Sequence, residues 1–402
     1  MAVIGTLDTK GEEIAHLAAE VAAGGAEPVV YDCGCGEPRG CTPDVPRAEV
    51  AAAAGLSLQQ LGALPRGQAV AAMGRGLRVV LAAAWSAGGV QAAVAAGGSG
   101  GTSIAAEGMA ALPVGAGKLI VSTVAAGDVR AYVGVRDLTL MHAVVDIAGL
   151  NRVSRAVLRN AGRAAAAMAL AWRPPGGERR LVCATMFGVT TPAVSTARRR
   201  LEACGYEVLV FHATGAGGRA MEELVAGGLV DGVLDLTTTE WADEVVGGIL
   251  SAGPDRLRAP GRAGIPHVVA PGALDMVNFG PPETVPARFA GRRLHQHNPQ
   301  VTLMRTTPAE NVAIAAEMAA RLNEARGPVR VLLPLRGVSA LDREGEAFWD
   351  PAADAAFREA LLARLRPEIG VRAIDAHIND EAFALAAAAE LEALLAAAPR
   401  AG

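Results

Sequence analysis

Short apolar segments alternate with longer segments of helical periodicity along most of this chain. The first example is VIGTLDTKGEEIAHLAAEVAAGGAEPVVYD (Val3–Asp32), and LVCATMFGVTTPAVSTARRRLEACGYEVLVFH (Leu181–His212) has the same layout. Each contains an apolar strand, a polar turn, an amphipathic helix that ends in glycine, and a second apolar strand. Because parallel strands need a crossover connection, usually a helix, both segments predict βαβ units.

Further segments of the same kind follow in both halves. RVVLAAAW, AAVAAGG and KLIVSTV come early, and VLDL, HVVAP, TLMR, VLLPL and VRAID come late. The uncharged stretch Val79–Ala106 predicts a strand, a helix, a strand and a loop, because its six glycines and its polar side chains do not suit a membrane span. This alternation of strands and helices is typical of open, mostly parallel α/β sheets.

A helical segment and a linker separate the two halves. Asp146–Trp172 is helical by periodicity and runs into WRPPGGERR, where two prolines and two glycines lie beside a charge cluster. We place the boundary near residue 176, so that residues 1–175 form an N-terminal subdomain and residues 176–402 form a C-terminal one. The predicted fold is α/β, with two tandem Rossmann-like subdomains, each a mostly parallel sheet flanked by helices.

Composition and charge disfavour several functional classes. The chain has 402 residues, 51% of them apolar, and its formal net charge of −4 gives no electrostatic footprint for nucleic acid. No basic region precedes Asp8 as it would in a signal peptide, and five cysteines in a chain of this length suggest reduced thiols. We therefore expect a cytoplasmic protein that binds neither nucleic acid nor a membrane. Cys33, Cys35 and Cys41 lie close together, but no histidine is near them, so we favour loop thiols over a metal site.

The strongest ligand-binding signal is the turn GGSGGTS (Gly97–Ser103). Ligands of open α/β sheets bind beyond the carboxyl ends of the strands, and glycines there let backbone N–H groups approach a phosphate at a helix N-terminus. No lysine follows as in a Walker A loop, and the spacing is not that of the dinucleotide fingerprint. Two interpretations remain open: a phosphate cradle, or a flexible turn in which Thr102 or Ser103 caps the next helix.

Two lysines and two aspartates are further candidates near strand ends. Of 37 lysines and arginines, only Lys10 and Lys118 are lysines, and a compact ammonium group suits phosphate. Asp8 and Asp128 are candidate magnesium ligands, because Mg²⁺ prefers one or two carboxylates together with phosphate oxygens. The structural alternatives are helix capping for Asp8 and a Gly–Asp turn for Asp128.

The second half contains a separate group of polar residues. HQHNP places His295 and His297 on one side of an extended segment, as in some zinc sites, although further ligands would have to come from the fold. The structural alternative is a pair of hydrogen-bonded histidines near an interface. Together with Asp275 and Asn278, these histidines are the candidate catalytic residues of an enzyme whose site would lie between the subdomains.

Several motifs together resemble a known family. In chain order they are VIGTLDTKGEE, GGSGGTS, LPVGAGKLIVSTVAAGDV, YVGVRDLTLMHAVVDIAGLN, MFGVTTPAV, DMVNFGPPETVP, HNPQVTLMRTTPAEN, PLRGVSALDREG and DAHIND. They are similar to the tobamovirus-resistance-type (Tm-one-like) ATP-binding domain family, and the similarity runs from Val3 to about Phe383. Since the motifs keep the family's order over nearly the whole chain, this resemblance is more specific than any single loop.

The resemblance implies two Rossmann-like subdomains, a homodimer, and ATP bound with magnesium. In a plant member the same domain inhibits viral replication by binding a viral replication protein. Some relatives carry a C-terminal barrel domain that resembles phosphoenolpyruvate-type lyases or hydrolases. Since this chain stops at Gly402, we expect that domain to be absent, and a separate barrel-domain enzyme is a candidate partner.

The strand-end rule and the resemblance together predict a nucleotide site in the N-terminal subdomain. Its predicted residues are Asp8, Thr9, Lys10, Gly97, Gly98, Ser99, Gly100, Gly101, Thr102, Ser103, Lys118, Ser122, Thr123 and Asp128. We favour an ATP-binding protein with a binding or regulatory role, in which backbone N–H groups hold the phosphates. The alternative is an enzyme, of hydrolase or lyase type, that acts on a small carboxylate or carbonyl substrate in the cleft between the subdomains.

Overall fold

A computed structural model describes residues 1–174 and 176–398 of the chain. The chain divides into two compact units, Met1–Gly176 and Gly177–Gly402, hereafter unit 1 and unit 2. Each unit has its own sheets and its own apolar cores, and each is described by itself.

Unit 1 is built on one parallel sheet of five strands. The strands are β1 (Ala2–Gly5), β2 (Val29–Asp32), β3 (Ala92–Gly97), β4 (Gly117–Ser122) and β5 (Thr139–His142), in the order β2-β1-β3-β4-β5. The helices are α1 (Leu7–Ala23), α2 (Arg47–Ala53), α3 (Leu58–Ala63), α4 (Arg66–Ser86), α5 (Ser99–Met109), α6 (Arg130–Val133) and α7 (Arg152–Ala171).

Helices cover both faces of this sheet, which explains why its central strands β1, β3 and β4 are buried at every position. Alternate strand residues face opposite sides. Ile4 packs in the core formed with α2, α3, α4 and α5, whereas Val3 packs in the core formed with α1 and α7. Asn151 begins α7 with a capping box, in which its side chain accepts hydrogen bonds from the backbone N–H groups of Val153 and Ser154.

Unit 2 contains a six-stranded parallel sheet and a three-stranded antiparallel sheet. The parallel order is β14-β13-β9-β8-β6-β7, with β6 (Leu181–Met186), β7 (Glu207–His212), β8 (Gly232–Thr237), β9 (His267–Gly272), β13 (Val329–Pro334) and β14 (Gly370–Ile374). The antiparallel order is β10-β12-β11, with β10 (Met276–Phe279), β11 (Leu294–Asn298) and β12 (Val301–Arg305). Starting from β7, the order of the parallel strands repeats that of unit 1, with one strand added at the end.

The helices of unit 2 again cover both faces of the parallel sheet. They are α8 (Thr191–Ala203), α9 (Ala216–Ala226), α10 (Glu240–Val246), α11 (Arg258–Ala263), α12 (Pro308–Asn323), α13 (Pro351–Leu362) and α14 (Glu381–Ala397), with short 3₁₀ turns at Gly188–Thr190, Pro282–Thr284 and Ala287–Phe289. The alanine-rich helix α14 packs with α8 on one face, where Phe383 and Leu391 are buried. Asp350 caps α13, where its side chain accepts a hydrogen bond from the backbone N–H of Ala353.

These observations confirm the predicted fold class of two Rossmann-like α/β subdomains with parallel sheets flanked by helices. One element differs, because the predicted strand at RVVLAAAW is the last part of helix α4. Leu77 and Leu81, one helical turn apart, both face the core there, and the alanines favour the helix. Within residues 1–174 and 176–398, every helix is too short or too polar to cross a lipid bilayer.

Candidate functional site

The strand order of unit 1 reverses beside β1, because β2 lies on one side of it and β3 on the other. In open α/β sheets such a reversal leaves a crevice beyond the carboxyl ends of the two strands, where ligands bind. The turn after β1, Thr6–Lys10, and the turn after β3, Gly97–Ser103, border this crevice. The structure therefore brings two of the predicted segments to one edge of one sheet.

The turn after β3 presents unused hydrogen-bond donors. Helix α5 begins at Ser99, and its N-cap residue, Gly98, has no side chain to cap it. In the part of the chain that the structure describes, no acceptor meets the backbone N–H groups of Ser99, Gly100 and Gly101. Ser99 is exposed to solvent. A helix N-terminus with free N–H groups favours an anion.

Packing does not explain the glycines of this turn, with one exception. A Cβ at Gly97 would lie 3.0 Å from the Cα of Gly101, so the close approach of strand and helix requires glycine there. A Cβ at Gly98, Gly100 or Gly101 would meet no atom closer than 3.7 Å, and none of these three residues has a positive φ. Because glycine in a helix costs about 0.5–1 kcal/mol relative to alanine, the fold alone gives no reason for Gly100 and Gly101, which lie in α5.

Hydroxyl groups fix the turn against β4. The Oγ1 of Thr102 and the Oγ of Ser122 are 2.7 Å apart, and both side chains are fully buried. The backbone N–H of Thr123 donates to the carbonyl of Gly97 at 3.3 Å. The half-buried Thr123 follows β4 directly, and its Oγ1 is 3.7 Å from the position that a Cβ on Gly98 would take. Thr102 and Ser122 therefore position the turn, while Thr123 and Ser103 lie nearer its open side.

The turn after β1 has a distorted start of helix α1. The helix begins at Leu7, its N-cap residue Thr6 makes no side-chain cap hydrogen bond, and Lys10 has a non-helical backbone (φ −132°, ψ 22°). The Oγ1 of Thr9 lies 3.0 Å from that of Thr6, and the Nζ of Lys10 donates to the backbone carbonyl of Ile147. Lys10 thus lies at the carboxyl edge of the sheet, as predicted, but its ammonium group already donates a hydrogen bond to a backbone carbonyl.

Lys118 lies at the opposite edge of the sheet. It is the second residue of β4, so the rest of the strand separates it from the glycine turn at the carboxyl end. Its Nζ donates to the carbonyls of Pro113 at 2.6 Å and Ala116 at 3.0 Å and pairs with Asp137 at 2.9 Å. Burial lowers the pKa of Lys118, and Asp137 opposes that shift. The structure does not bring Lys118 together with the other predicted residues.

The two candidate magnesium ligands have different surroundings. Asp128 is exposed, and both of its carboxylate oxygens pair with the Arg130 side chain, whose Nη2 lies 2.5 Å from Oδ2. Asp8 accepts a hydrogen bond from the backbone N–H of Gly36 at 2.8 Å through Oδ2, while its buried Oδ1 has no partner among the described residues. Asp8 therefore fits a magnesium ligand, because Mg²⁺ binds through one or two carboxylates, whereas the oxygens of Asp128 are already engaged.

Sequence reasoning missed a third carboxylate at this edge. Asp32 is the last residue of β2 and is fully buried. Burial raises its pKa, hydrogen bonds from the backbone N–H groups of Gly34 and Leu7 oppose the shift, and the neighbouring Asp8 adds to it. The strand-end rule also points to Asp32, because it ends a strand, but the more conspicuous feature of this loop in the sequence is its cysteines.

The corresponding edge of unit 2 is filled by its own side chains. Its crevice lies between β6 and β8, where the hydroxyls of Thr190 and Thr237 are 2.8 Å apart and fully buried. The glycine-rich turn after β7 does present N–H groups, but the Oε1 of Glu240 accepts from Gly215 at 2.7 Å and from Gly218 at 3.1 Å. A carboxylate of the protein thus occupies the anion position of this turn.

A buried arginine fixes that carboxylate. The Nε of Arg256 donates to the Oε2 of Glu240 at 2.7 Å, and its Nη1 and Nη2 donate to Asp235 at 2.5 and 2.7 Å. Burial alone would raise the pKa of Asp235, but Arg256 outweighs it and holds the pKa below its usual value. Glu240 and its partners therefore form a structural ion-pair network, which sequence spacing could not reveal.

The structure does not bring the four candidate catalytic residues to one point. Asp275 is buried and accepts a hydrogen bond from the Oγ of Ser339 at 2.7 Å, whereas Asn278 donates to Asp243 at 2.7 Å. In the antiparallel sheet, Asn278 and His295 pair with the same residue of β12 from opposite sides, so they are about 10 Å apart. His295 packs edge-on against a phenylalanine, and His297 is exposed.

These features define a protein of two α/β units, one of which has a turn with unpaired backbone N–H groups, among the described residues, at its sheet edge. The chain belongs to the uncharacterised protein family UPF0261, whose N-terminal domain matches residues 1–174 and whose C-terminal domain matches residues 179–395.

Relatives occur in bacteria and plants. The chain is 47% identical over 392 residues to a UPF0261 protein of Clostridium tetani, with 97% of each chain covered, and 50% identical over 390 residues to one of Rhizobium meliloti, with 96% of this chain and 97% of the relative covered. It is 42% identical over 405 residues to the ToMV resistance protein Tm-1 of Solanum lycopersicum. That match covers 95% of this chain but only 54% of the tomato protein.

Proposed function

We propose that this chain is a cytoplasmic nucleotide-binding protein that holds the phosphates of ATP, together with Mg²⁺, at the carboxyl edge of unit 1. The observation that carries the proposal is the turn after β3. Its N–H groups at Ser99, Gly100 and Gly101 meet no acceptor among the described residues, and no packing contact or positive φ requires its last two glycines. Glycine at such positions is explained if a ligand comes close to the backbone.

In this proposal each group of residues has a separate task. The N–H groups of the turn donate to phosphate oxygens, and the Thr123 hydroxyl lies beside them. Asp8 supplies an oxygen ligand to Mg²⁺, which would neutralise phosphate charge. The buried pair Thr102 and Ser122 keeps the turn in place. The donors are mostly backbone groups that recognise charge and shape, and we therefore propose a binding or regulatory role.

Isothermal titration calorimetry with ATP and Mg²⁺ tests the proposal directly. We expect saturable binding at ligand concentrations up to about 1 mM, which corresponds to about 4 kcal/mol of binding free energy. ADP and inorganic triphosphate serve as comparisons, because a site that reads phosphates binds them as well. The absence of any binding heat at that concentration would contradict the proposal.

A variant separates ligand binding from folding. Gly100→Ala places a methyl group where the fold has space, 3.7 Å from the nearest atom, on Val70, but where a phosphate would approach. We expect ATP affinity to fall about tenfold or more, with the fold intact. Gly67→Ala is the matched control: Gly67 is likewise the second residue of a helix, α4, with nothing within 4 Å of an added Cβ. Equal ATP affinity in both variants would argue against the turn as the site.

Two further parts of the proposal concern partners. We propose a homodimer and, as a candidate partner, a separate barrel-domain enzyme. Light scattering coupled to size-exclusion chromatography would show the first, and co-purification with such an enzyme would test the second. A monomer at all concentrations would contradict the dimer without bearing on the nucleotide site.

A further inference from the structure

The carboxyl ends of β1 and β2 place two carboxylates under one loop. The Oδ1 of Asp32 accepts hydrogen bonds from the backbone N–H groups of Leu7 at 3.1 Å and Gly34 at 2.8 Å, but its buried Oδ2 has no hydrogen-bond partner in residues 1–174 and 176–398. On the neighbouring turn, the buried Oδ1 of Asp8 also lacks a partner among the residues that the structure describes. Buried polar atoms are nearly always paired, so an orphaned oxygen on each of two neighbouring carboxylates requires an explanation.

The loop that follows β2 is shaped around these oxygens. A Cβ on Gly34 would lie 2.7 Å from the Oδ1 of Asp8 and 3.1 Å from the Oδ1 of Asp32, so both carboxylates reach within 3.1 Å of one point. A Cβ on Gly36 would lie 3.2 Å from the Oδ2 of Asp8. Because any other side chain would fill this space, the two glycines keep the loop close to the carboxylates.

The charges at this place are not balanced by the protein. No ion pair joins Asp8 or Asp32 to a cationic side chain within the described ranges. Arg47, which is close enough to influence Asp32, pairs with Glu37 and donates to the carbonyl of Cys35 at 2.8 Å. Two adjacent carboxylates without a counter-charge are costly to bury, and a cation between them would remove that cost.

We propose that the Oδ1 of Asp8 and the Oδ2 of Asp32 are ligands of one divalent cation, Mg²⁺ or Mn²⁺, at the carboxyl edge between β1 and β2. An oxygen-only donor set selects hard cations. The described residues contain no group of three or more His, Cys, Asp or Glu side chains that could hold a metal. Water or phosphate oxygens therefore complete the shell, as is usual for Mg²⁺. This inference extends the magnesium role proposed above for Asp8, and its test uses no nucleotide, so that its failure and the failure of the nucleotide proposal are distinguishable.

The test uses the full chain and Mn²⁺ alone, without nucleotide. Electron paramagnetic resonance of free Mn²⁺ measures binding, and Mg²⁺ serves as the competitor. We expect the wild type to bind Mn²⁺ and to release it to Mg²⁺, and we expect Asp32→Asn and Asp8→Asn each to weaken binding about tenfold or more. Circular dichroism and thermal melting establish that each variant is folded. Two variants keep the test usable if one of them fails to fold.

Glu37→Gln is the matched control. It removes a negative charge from the same loop at an exposed side chain, away from the orphaned oxygens, and should leave Mn²⁺ binding unchanged. The proposal is overturned if the wild type binds no Mn²⁺, if both Asp variants bind as the wild type does, or if Asp128→Asn abolishes binding instead. It is also overturned if Asp32→Asn weakens ATP binding but not Mn²⁺ binding. In that case the unpaired carboxylate oxygen would accept a hydrogen bond from a hydroxyl group of the nucleotide instead of binding a metal.

Discussion

Units 1 and 2 share a strand order but use the edge of the sheet in opposite ways. In unit 1 the glycine-rich turn leaves the N–H groups of Ser99, Gly100 and Gly101 without an acceptor among the described residues. In unit 2 the glycine-rich turn donates to Glu240, which Arg256 fixes in place. A glycine-rich turn at a strand end is therefore not sufficient to indicate a ligand site. Such a turn is a candidate ligand site only where no carboxylate of the protein already accepts hydrogen bonds from its N–H groups.

The largest effect is expected where a glycine of unit 2 gains a side chain. In Gly218→Ala the new Cβ would lie 2.1 Å from the Oε2 of Glu240 and would push this carboxylate away from Arg256. Separating a buried ion pair costs about 3–5 kcal/mol of folding free energy. Urea denaturation followed by hydrogen-exchange mass spectrometry, which resolves the two units, measures the loss. If Gly218→Ala cost no more than Gly100→Ala, the two turns would not differ as described.

The second-largest effect is expected in the pH dependence of the free energy of unfolding of unit 2, because this unit buries a carboxyl group with a raised pKa. Burial raises the pKa of Asp243 in unit 2 to about 7, although hydrogen bonds from Asn278 and Leu250 oppose the shift. The folded protein then keeps a proton that the unfolded chain loses near its ordinary pKa. The contribution of Asp243 to the free energy of unfolding of unit 2 is therefore fully present below the ordinary carboxyl pKa of about 4, falls by about 2 kcal/mol as the pH rises from about 5 to about 7, and levels off above that.

Burial is also the main cause that raises the pKa of Asp275 to about 7 and the pKa of Asp354 to about 8. Both carboxyl groups therefore also lower the free energy of unfolding of unit 2 as the pH rises. Urea denaturation at each pH, followed by hydrogen-exchange mass spectrometry, gives the free energy of unfolding of each unit as a function of pH. Stability of unit 2 that rises over this range would refute the prediction.

A smaller effect is expected for the hydroxyl pair that positions the open turn. Thr102→Val keeps the shape of the side chain but removes its hydrogen bond to Ser122. We expect a loss of about 1 kcal/mol in the stability of unit 1, together with weaker ATP binding, because the turn is no longer fixed to β4. Thermal melting and calorimetry measure the two quantities. An unchanged ATP affinity would show that the turn does not depend on this pair.

The smallest effect is a gain in stability. Gly100→Ala should raise the free energy of unfolding of unit 1 by about 0.5 kcal/mol, since alanine is the better helix former and its Cβ has space. The same denaturation experiment detects it. A loss of more than about 1 kcal/mol would mean that the fold itself needs this glycine.

The alternation of apolar strands and amphipathic helices was enough to predict two α/β subdomains, because parallel sheets buried on both faces leave that pattern in the sequence. The pattern also predicts most element types, but it predicts a strand for the apolar run Val79–Trp85, which belongs to α4. Seven apolar residues have no unambiguous period, and only the length of the helix that precedes them resolves the choice.

Site residues were harder to predict, because contacts across the fold decide them. The strand-end rule selected the turns at Thr6–Lys10 and Gly97–Ser103, which the structure places at one edge. Lys118 precedes Ser122 by only four residues, but an extended strand carries it to the other edge, about 13 Å away. Glu240 meets Gly218 only through the fold, and no spacing in the sequence indicates that pairing.

The Glu240 carboxylate amounts to a tethered ligand at very high effective concentration. The turn of unit 2 is consequently occupied without any solute, and its stability does not depend on the concentration of a ligand. Unit 1, by contrast, would gain stability by mass action, about 2.7 kcal/mol when a nucleotide is present at 100 times its dissociation constant. The stability of unit 1 would then depend on the nucleotide concentration in the cell. The stability of unit 2 would not, because Glu240, which fills its turn, is part of the same chain.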